Sequence, residues 1–158
     1  MQTVGRVVAE YEALAPSKQP REILVDSIGI GSGVVDRLRE LGLPVRGINV
    51  AEAPSMGGTY LNLRSELWFK TKAWFEDRAC KLPKDDQLLA ELTGIRYSFT
   101  SSGKMKAESK DEMRKRGLQS PDLADALCLT MASDAATALS GAFNSWRGEI
   151  KRNLRGIA

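Results

Sequence analysis

The sequence predicts an α/β domain. The apolar run Ile23-Leu24-Val25 and the stretch 45–50 read as strands and flank a stretch with helical apolar spacing. Helical stripes recur before and after this unit. A later stretch, 95–108, is broken by Ser101-Ser102-Gly103 in the manner of a hairpin. With 158 residues, 42% hydrophobic and 27% charged, the chain can bury one core and is too balanced to be disordered.

The elements follow in order. Val7, Val8, Tyr11 and Leu14 form a helical stripe over 4–14. The polar stretch from Pro16 to Pro20 ends it. A strand over 22–26 comes next, then a glycine-rich turn. Val34, Val35, Leu38 and Leu41 place a helix at 34–41, and Gly42 and Pro44 stop it. The strand at 45–50 is expected to lie parallel to the first, because a crossover helix joins them. After a Pro/Gly/Ser loop at 53–59, Tyr60, Leu63, Leu67, Trp68, Thr71, Trp74 and Phe75 recur at helical spacing. That stripe predicts a core-facing helix rather than a base-stacking surface. A short helix at 85–92 precedes the hairpin. Ser109 and Glu112 have capping-box spacing, and Ser120-Pro121 marks a second helix start, with serine as cap and proline at the first helical position. The final segment, 141–158, has four basic residues and one acidic one and reads as a basic tail.

Bulk properties bound the function loosely. A net charge of +3 does not by itself imply nucleic-acid binding. Cys80 and Cys128 lack metal-ligand spacing, and a reduced, cytoplasmic setting is expected. No apolar run approaches membrane-spanning length, so no membrane partner is expected.

Three carboxylates carry the chemistry. Asp26 ends the first strand, and Gly29, Gly31 and Gly33 follow it. Asp122 and Asp125 lie three apart in the first turn of the late helix, on one face. Helix dipoles favour acids there, which explains Asp122 as well as a ligand role does. Asp125 sits among Leu123, Ala124, Ala126 and Leu127, and an acid on such a packed helix needs a partner, either an arginine or a metal. Carboxylates on separate elements in a chain without histidine suit a Mg²⁺ or Mn²⁺ site. The glycine turn also admits a nucleotide-binding reading. Its match to G-x-G-x-x-G is poor, and no acid ends the next strand. As a purely structural alternative, Asp26 caps the turn through backbone N–H groups.

The stretch Ile23-Leu24-Val25-Asp26 with 29–38, and Ser109-Lys110 with 120–127, resembles the nuclease domain of phage terminase large subunits. The likeness runs from about Val4 to Ala132 in the right order. It implies an RNase H-like fold, a mixed sheet flanked by helices, over 1–140. It also implies two divalent ions, Mg²⁺ or Mn²⁺, held between carboxylates, with endonucleolytic cleavage of concatemeric viral double-stranded DNA. Asp26 matches the middle carboxylate of that family, Asp125 the late one, and Asp122 a second ligand or neighbour. The terminase small subunit and the portal protein are the partners that the resemblance implies.

The family's first strands and their aspartate have no counterpart in this sequence, nor does a Walker motif. The expectation is therefore a C-terminal fragment, from a terminase or a prophage, with little cleavage activity of its own. The alternatives are a non-catalytic remnant or interaction module with the same fold, and another RNase H-like nuclease such as a junction resolvase. The segment 104–116 holds six basic and three acidic residues. Lys104, Lys106, Lys110 and Arg114 are its candidates for contact with the DNA backbone.

Overall fold

A computed structural model describes residues 2–78 and 80–133. The elements are α1 (Gln2–Glu12), β1 (Ile23–Asp26), α2 (Ile30–Glu40), β2 (Val45–Ile48), α3 (Leu63–Glu76), α4 (Asp86–Gly94), β3 (Tyr97–Phe99), β4 (Met105–Ala107), α5 (Lys110–Lys115) and α6 (Asp122–Leu129). The architecture is mixed α/β. The expected basic tail at 141–158 lies outside the described residues.

β1 and β2 pair in parallel, Ile23 opposite Val45 and Asp26 opposite Ile48, as the crossover predicts. β3 and β4 pair antiparallel, Tyr97 opposite Ala107. The single mixed sheet expected from sequence is not what the described residues form. They form two separate two-stranded sheets. An isolated bridge from Tyr60 to Met105 continues from β4 toward the start of α3.

The core lies where α3 and α6 meet the sheets. Ile48, Leu67, Trp68, Leu88, Ala107, Ala124, Cys128 and Leu129 form one buried cluster across β2, α3, α4, β4 and α6. Each large apolar side chain buried there stabilises the fold by roughly 1.5–3 kcal/mol. The expected core-facing stripe of α3 is present in Leu67 and Trp68, while Leu63 and Trp74 are half-buried.

Three boundaries differ from expectation. α3 starts at Leu63, because the Asn62 side chain accepts from the Ser65 amide at 3.0 Å and from its hydroxyl at 2.8 Å. That cap satisfies a free helix-terminal donor and excludes Tyr60. α2 starts four residues early, so Gly31 and Gly33 are helical and Gly29 alone makes the turn, at φ +62°. At Ser120 the hydroxyl donates to the Asp122 carboxylate at 2.6 Å instead of capping, and Pro121 stands at the cap position.

Candidate metal and phosphate site

The strand end and the late helix face one another. Asp26, Asp122 and Asp125 line a single cavity of about 340 Å³ between β1, α3 and α6, together with Arg64, Trp68 and Lys110. The rest of its wall is largely apolar.

Asp26 reaches this wall through local geometry. Its side chain accepts from the Ile28 amide at 3.1 Å, an Asx-type turn. The Ser27 amide donates to the Ile48 carbonyl at 2.9 Å and extends the β1–β2 ladder past the aspartate. Helix α2 then folds back so tightly that a Cβ at Gly31 would lie 1.7 Å from the Asp26 carbonyl oxygen. Asp26 is exposed. The capping role considered for it from sequence is present, and it leaves the carboxylate facing the cavity.

Asp125 is held from a distance. Its Oδ1 accepts from Trp68 Nε1 at 2.8 Å and from Arg64 Nε at 3.2 Å. Arg64 Nη2 lies 3.0 Å from the same oxygen but off the hydrogen-bond axis, a charge contact only. Oδ2 faces Lys110 Nζ at 3.3 Å. The Arg64 and Asp125 side chains are 15% and 21% exposed, so the pair is shielded from bulk water. Of the two partners that sequence left open for Asp125, arginine or metal, the arginine is present.

Lys110 joins the two helical acids. Its ammonium lies 3.3 Å from Asp122 Oδ1 and 3.3 Å from Asp125 Oδ2. The hydrogen bond from Ser120 and the nearby Lys110 hold the Asp122 pKa below the usual carboxylate value. The capping box of α5 orients Lys110. Ser109 Oγ accepts from the Glu112 amide at 3.2 Å, and the Ser109 amide donates to Glu112 Oε2 at 2.7 Å. The Lys106 hydrogen bond, with those from Ser109, brings the Glu112 pKa down to about 2.

The other basic candidates lie elsewhere. Lys106 pairs with Glu112 at 2.7 Å and Arg114 with Asp111 at 2.8 Å, while Lys104 is half-buried beside the hairpin turn. Of the four, Lys110 alone lines the carboxylate cavity.

The donor set has the chemistry of a hard-cation site. It offers carboxylate oxygens and no imidazole, and two of its acids already share one cationic group. Among the described residues, no group of three or more acidic, cysteine or histidine side chains is drawn together tightly enough to hold a metal ion.

Two residues that sequence reading did not assign to the site are Arg64 and Trp68. They are four apart on α3 and so share a helix face, and their packing appears in a guanidinium 5.8 Å from the indole ring. The signal was the need of Asp125 for a partner, but which helix would supply it depended on tertiary packing.

No helix among the described residues is long and apolar enough to cross a membrane. No family model matches the sequence, and no curated protein matches it. Solved structures do. The nuclease domain of the large terminase subunit gp2 of bacterial virus Sf6 superposes at a TM-score of 0.63 with 22% identity, covering 84% of this chain and 70% of that one. A point mutant of the same domain, solved with manganese, matches at 0.64 with 21% identity, over 84% of this chain and 71% of that one. The large terminase nuclease of the thermophilic phage G20c, with bound magnesium, matches at 0.57 with 21% identity, over 80% of this chain and 58% of that one. The chain therefore has the fold of phage large-terminase nuclease domains.

Proposed function

We propose that this chain is an RNase H-like nuclease domain of the DNA-packaging terminase type, which cuts double-stranded viral DNA with the help of divalent metal ions. The observation that carries the reading is the shared cavity of Asp26, Asp122 and Asp125 in a fold whose solved relatives were crystallised with manganese or magnesium. Asp125 and Asp26 are the proposed metal ligands, with Asp122 as a further ligand or neighbour. Divalent-metal chemistry at such a site supplies charge neutralisation on a phosphate and an activated water for in-line attack. The residues of the chain do the rest. Asp125 presents one oxygen to the cavity while Arg64 and Trp68 hold the other. Lys110 balances the paired acids and stands where it can meet an incoming phosphate.

We propose that residues 1–158 alone cleave weakly. Two carboxylates share a cation in the cavity, no group of three candidate ligands is gathered among the described residues, and two metals need more ligands than that. In the family that the sequence resembles, a further metal-binding acid lies on an earlier strand. The terminase small subunit and the portal protein are proposed partners on the same resemblance. A non-catalytic module with this fold is the second reading, favoured by the balance of Asp122 and Asp125 against Lys110 and Arg64.

A plasmid-nicking assay with Mn²⁺ and an EDTA control tests both. Little nicking is expected from this chain and strong, EDTA-sensitive nicking after fusion to the first strands of a terminase nuclease domain, lost in Asp26→Asn and in Asp125→Asn. Nicking that survives both substitutions relocates the site. No nicking by the extended protein favours the non-catalytic module.

A further inference from the structure

We propose that Arg64 and Trp68 are positioning residues, which occupy one oxygen of Asp125 so that the other is fixed toward the cavity as a ligand atom. The inference deepens the metal-site reading above and rests on it. A free aspartate can rotate about its terminal torsion and exchange its two oxygens. Here the two are not equivalent. Oδ1 takes the indole N–H at 2.8 Å and the guanidinium Nε–H at 3.2 Å, whereas Oδ2 lies 3.3 Å from the Lys110 ammonium. Turning the carboxylate plane away from this orientation would break two hydrogen bonds in a shielded setting, so whichever oxygen takes them, the other stays directed to the cavity.

The donors are themselves fixed. Trp68 is 8% exposed and belongs to the central cluster, so its ring cannot follow a moving carboxylate. Arg64 spends its Nη1 on the Glu108 carbonyl at 2.7 Å. One guanidinium therefore connects α3, the Asp125 carboxylate and the chain that leads through Ser109 to Lys110. The spacing between Asp125 and Lys110 is therefore tied to α3 as well as to the capping box of α5. Donors of this kind orient a ligand, and their removal from metal sites typically weakens metal binding by about 10- to 100-fold.

The test uses the whole chain and Mg²⁺ as the probe, followed by ¹⁵N–¹H correlation spectra. In the unmodified protein the Trp68 indole N–H signal, identified by its disappearance in Trp68→Phe, should shift in step with the backbone amides around Asp125 and give one Kd. Trp68→Phe keeps an aromatic side chain and removes the indole donor together with part of the ring system. It should weaken the Kd by about 10- to 100-fold while the spectrum stays dispersed. Arg64→Lys should weaken it in the same direction, and Trp74→Phe should leave it unchanged. A Trp68 indole signal that stays still while the Asp125 amides titrate would overturn the proposal without any variant. So would Kd values within twofold of the unmodified protein in both Trp68→Phe and Arg64→Lys. A different result sinks the underlying reading instead: no Mg²⁺-dependent shift near Asp125, or one that persists in Asp125→Asn.

Discussion

Asp26 and Asp125 face the same cavity but are placed by opposite means. Asp26 is placed by its own neighbours, through an amide two residues on and a helix packed against its carbonyl oxygen. Asp125 is placed by side chains 57 and 61 residues away in sequence, on another helix. The first arrangement depends on backbone geometry and tolerates changes of side-chain charge. The second depends on tertiary packing and on a shielded ion pair. Damage to each should therefore look different.

The largest effect is expected at Arg64. Its removal in Arg64→Ala leaves a shielded carboxylate with Lys110 as its remaining cation and should cost up to about 3–5 kcal/mol, read from urea unfolding midpoints at constant m. A loss below about 1 kcal/mol would mean that solvent or Lys110 replaces the guanidinium without difficulty. The next effect belongs to the Asp26 side. Gly31→Ala forces a methyl group against the Asp26 carbonyl and should cost about 1–3 kcal/mol or more. Gly33→Ala is the control on the same helix, since nothing lies within 4 Å of its added Cβ. It should be neutral or stabilise by about 0.4–1 kcal/mol. Equal losses at both glycines would show that the close approach at Gly31 does not exist.

A smaller effect is expected for Asp26→Asn. The amide oxygen can still accept from Ile28, so stability should change by no more than about 0.5 kcal/mol while metal-dependent activity is lost. A large fall in stability would assign Asp26 to the fold rather than to the cavity. The smallest effect concerns the segment that presents Lys110. The Glu112 pKa is about 2, against an ordinary value of 4.5, because Lys106 and Ser109 bond its carboxylate. A depressed folded-state pKa gives stability that is fully present above 4.5 and is lost as pH falls toward 2. Glu112→Gln should flatten that part of the pH–stability profile. An unchanged profile would remove the capping box from the account of how Lys110 is held.

Much of this was legible in the sequence, and the boundary has a physical cause. The parallel β1–β2 unit, the hairpin and the capping box of α5 follow from local pattern, and local pattern decides them. The need of Asp125 for a partner was also readable, since a charge among small apolar residues cannot stay alone. Its partners were not readable. Trp68 belongs to a stripe that reads as ordinary core, Arg64 beside it carried no reading, and only the packing of α3 on α6 turns their polar atoms toward the acid. Lys110 looked like one of several basic residues near a hairpin for the same reason. The start of α3 was missed because aromatic spacing favoured Tyr60, whereas Asn62 supplied the hydrogen bonds that a helix end requires. Complete burial of Glu66 in that helix had no sequence signal, because the groups that bond it besides Lys70 lie in the loop before it.

That last residue gives the preceding loop an unusual property. Glu66 is fully buried and accepts from the Ser55 amide at 2.6 Å, the Ser55 hydroxyl and the Met56 amide at 3.4 Å, while Lys70 neutralises it at 2.6 Å. Two amides of a Pro/Gly/Ser loop thus end on a carboxylate inside the protein. Their deuterium uptake should be slow, unlike that of the neighbouring loop amides, and should speed up only when α3 itself opens. Ser55 and Met56 are therefore surface-loop reporters of the helix that carries Arg64 and Trp68. Following their exchange as Mg²⁺ or DNA is added would register tightening of α3 from outside the cavity.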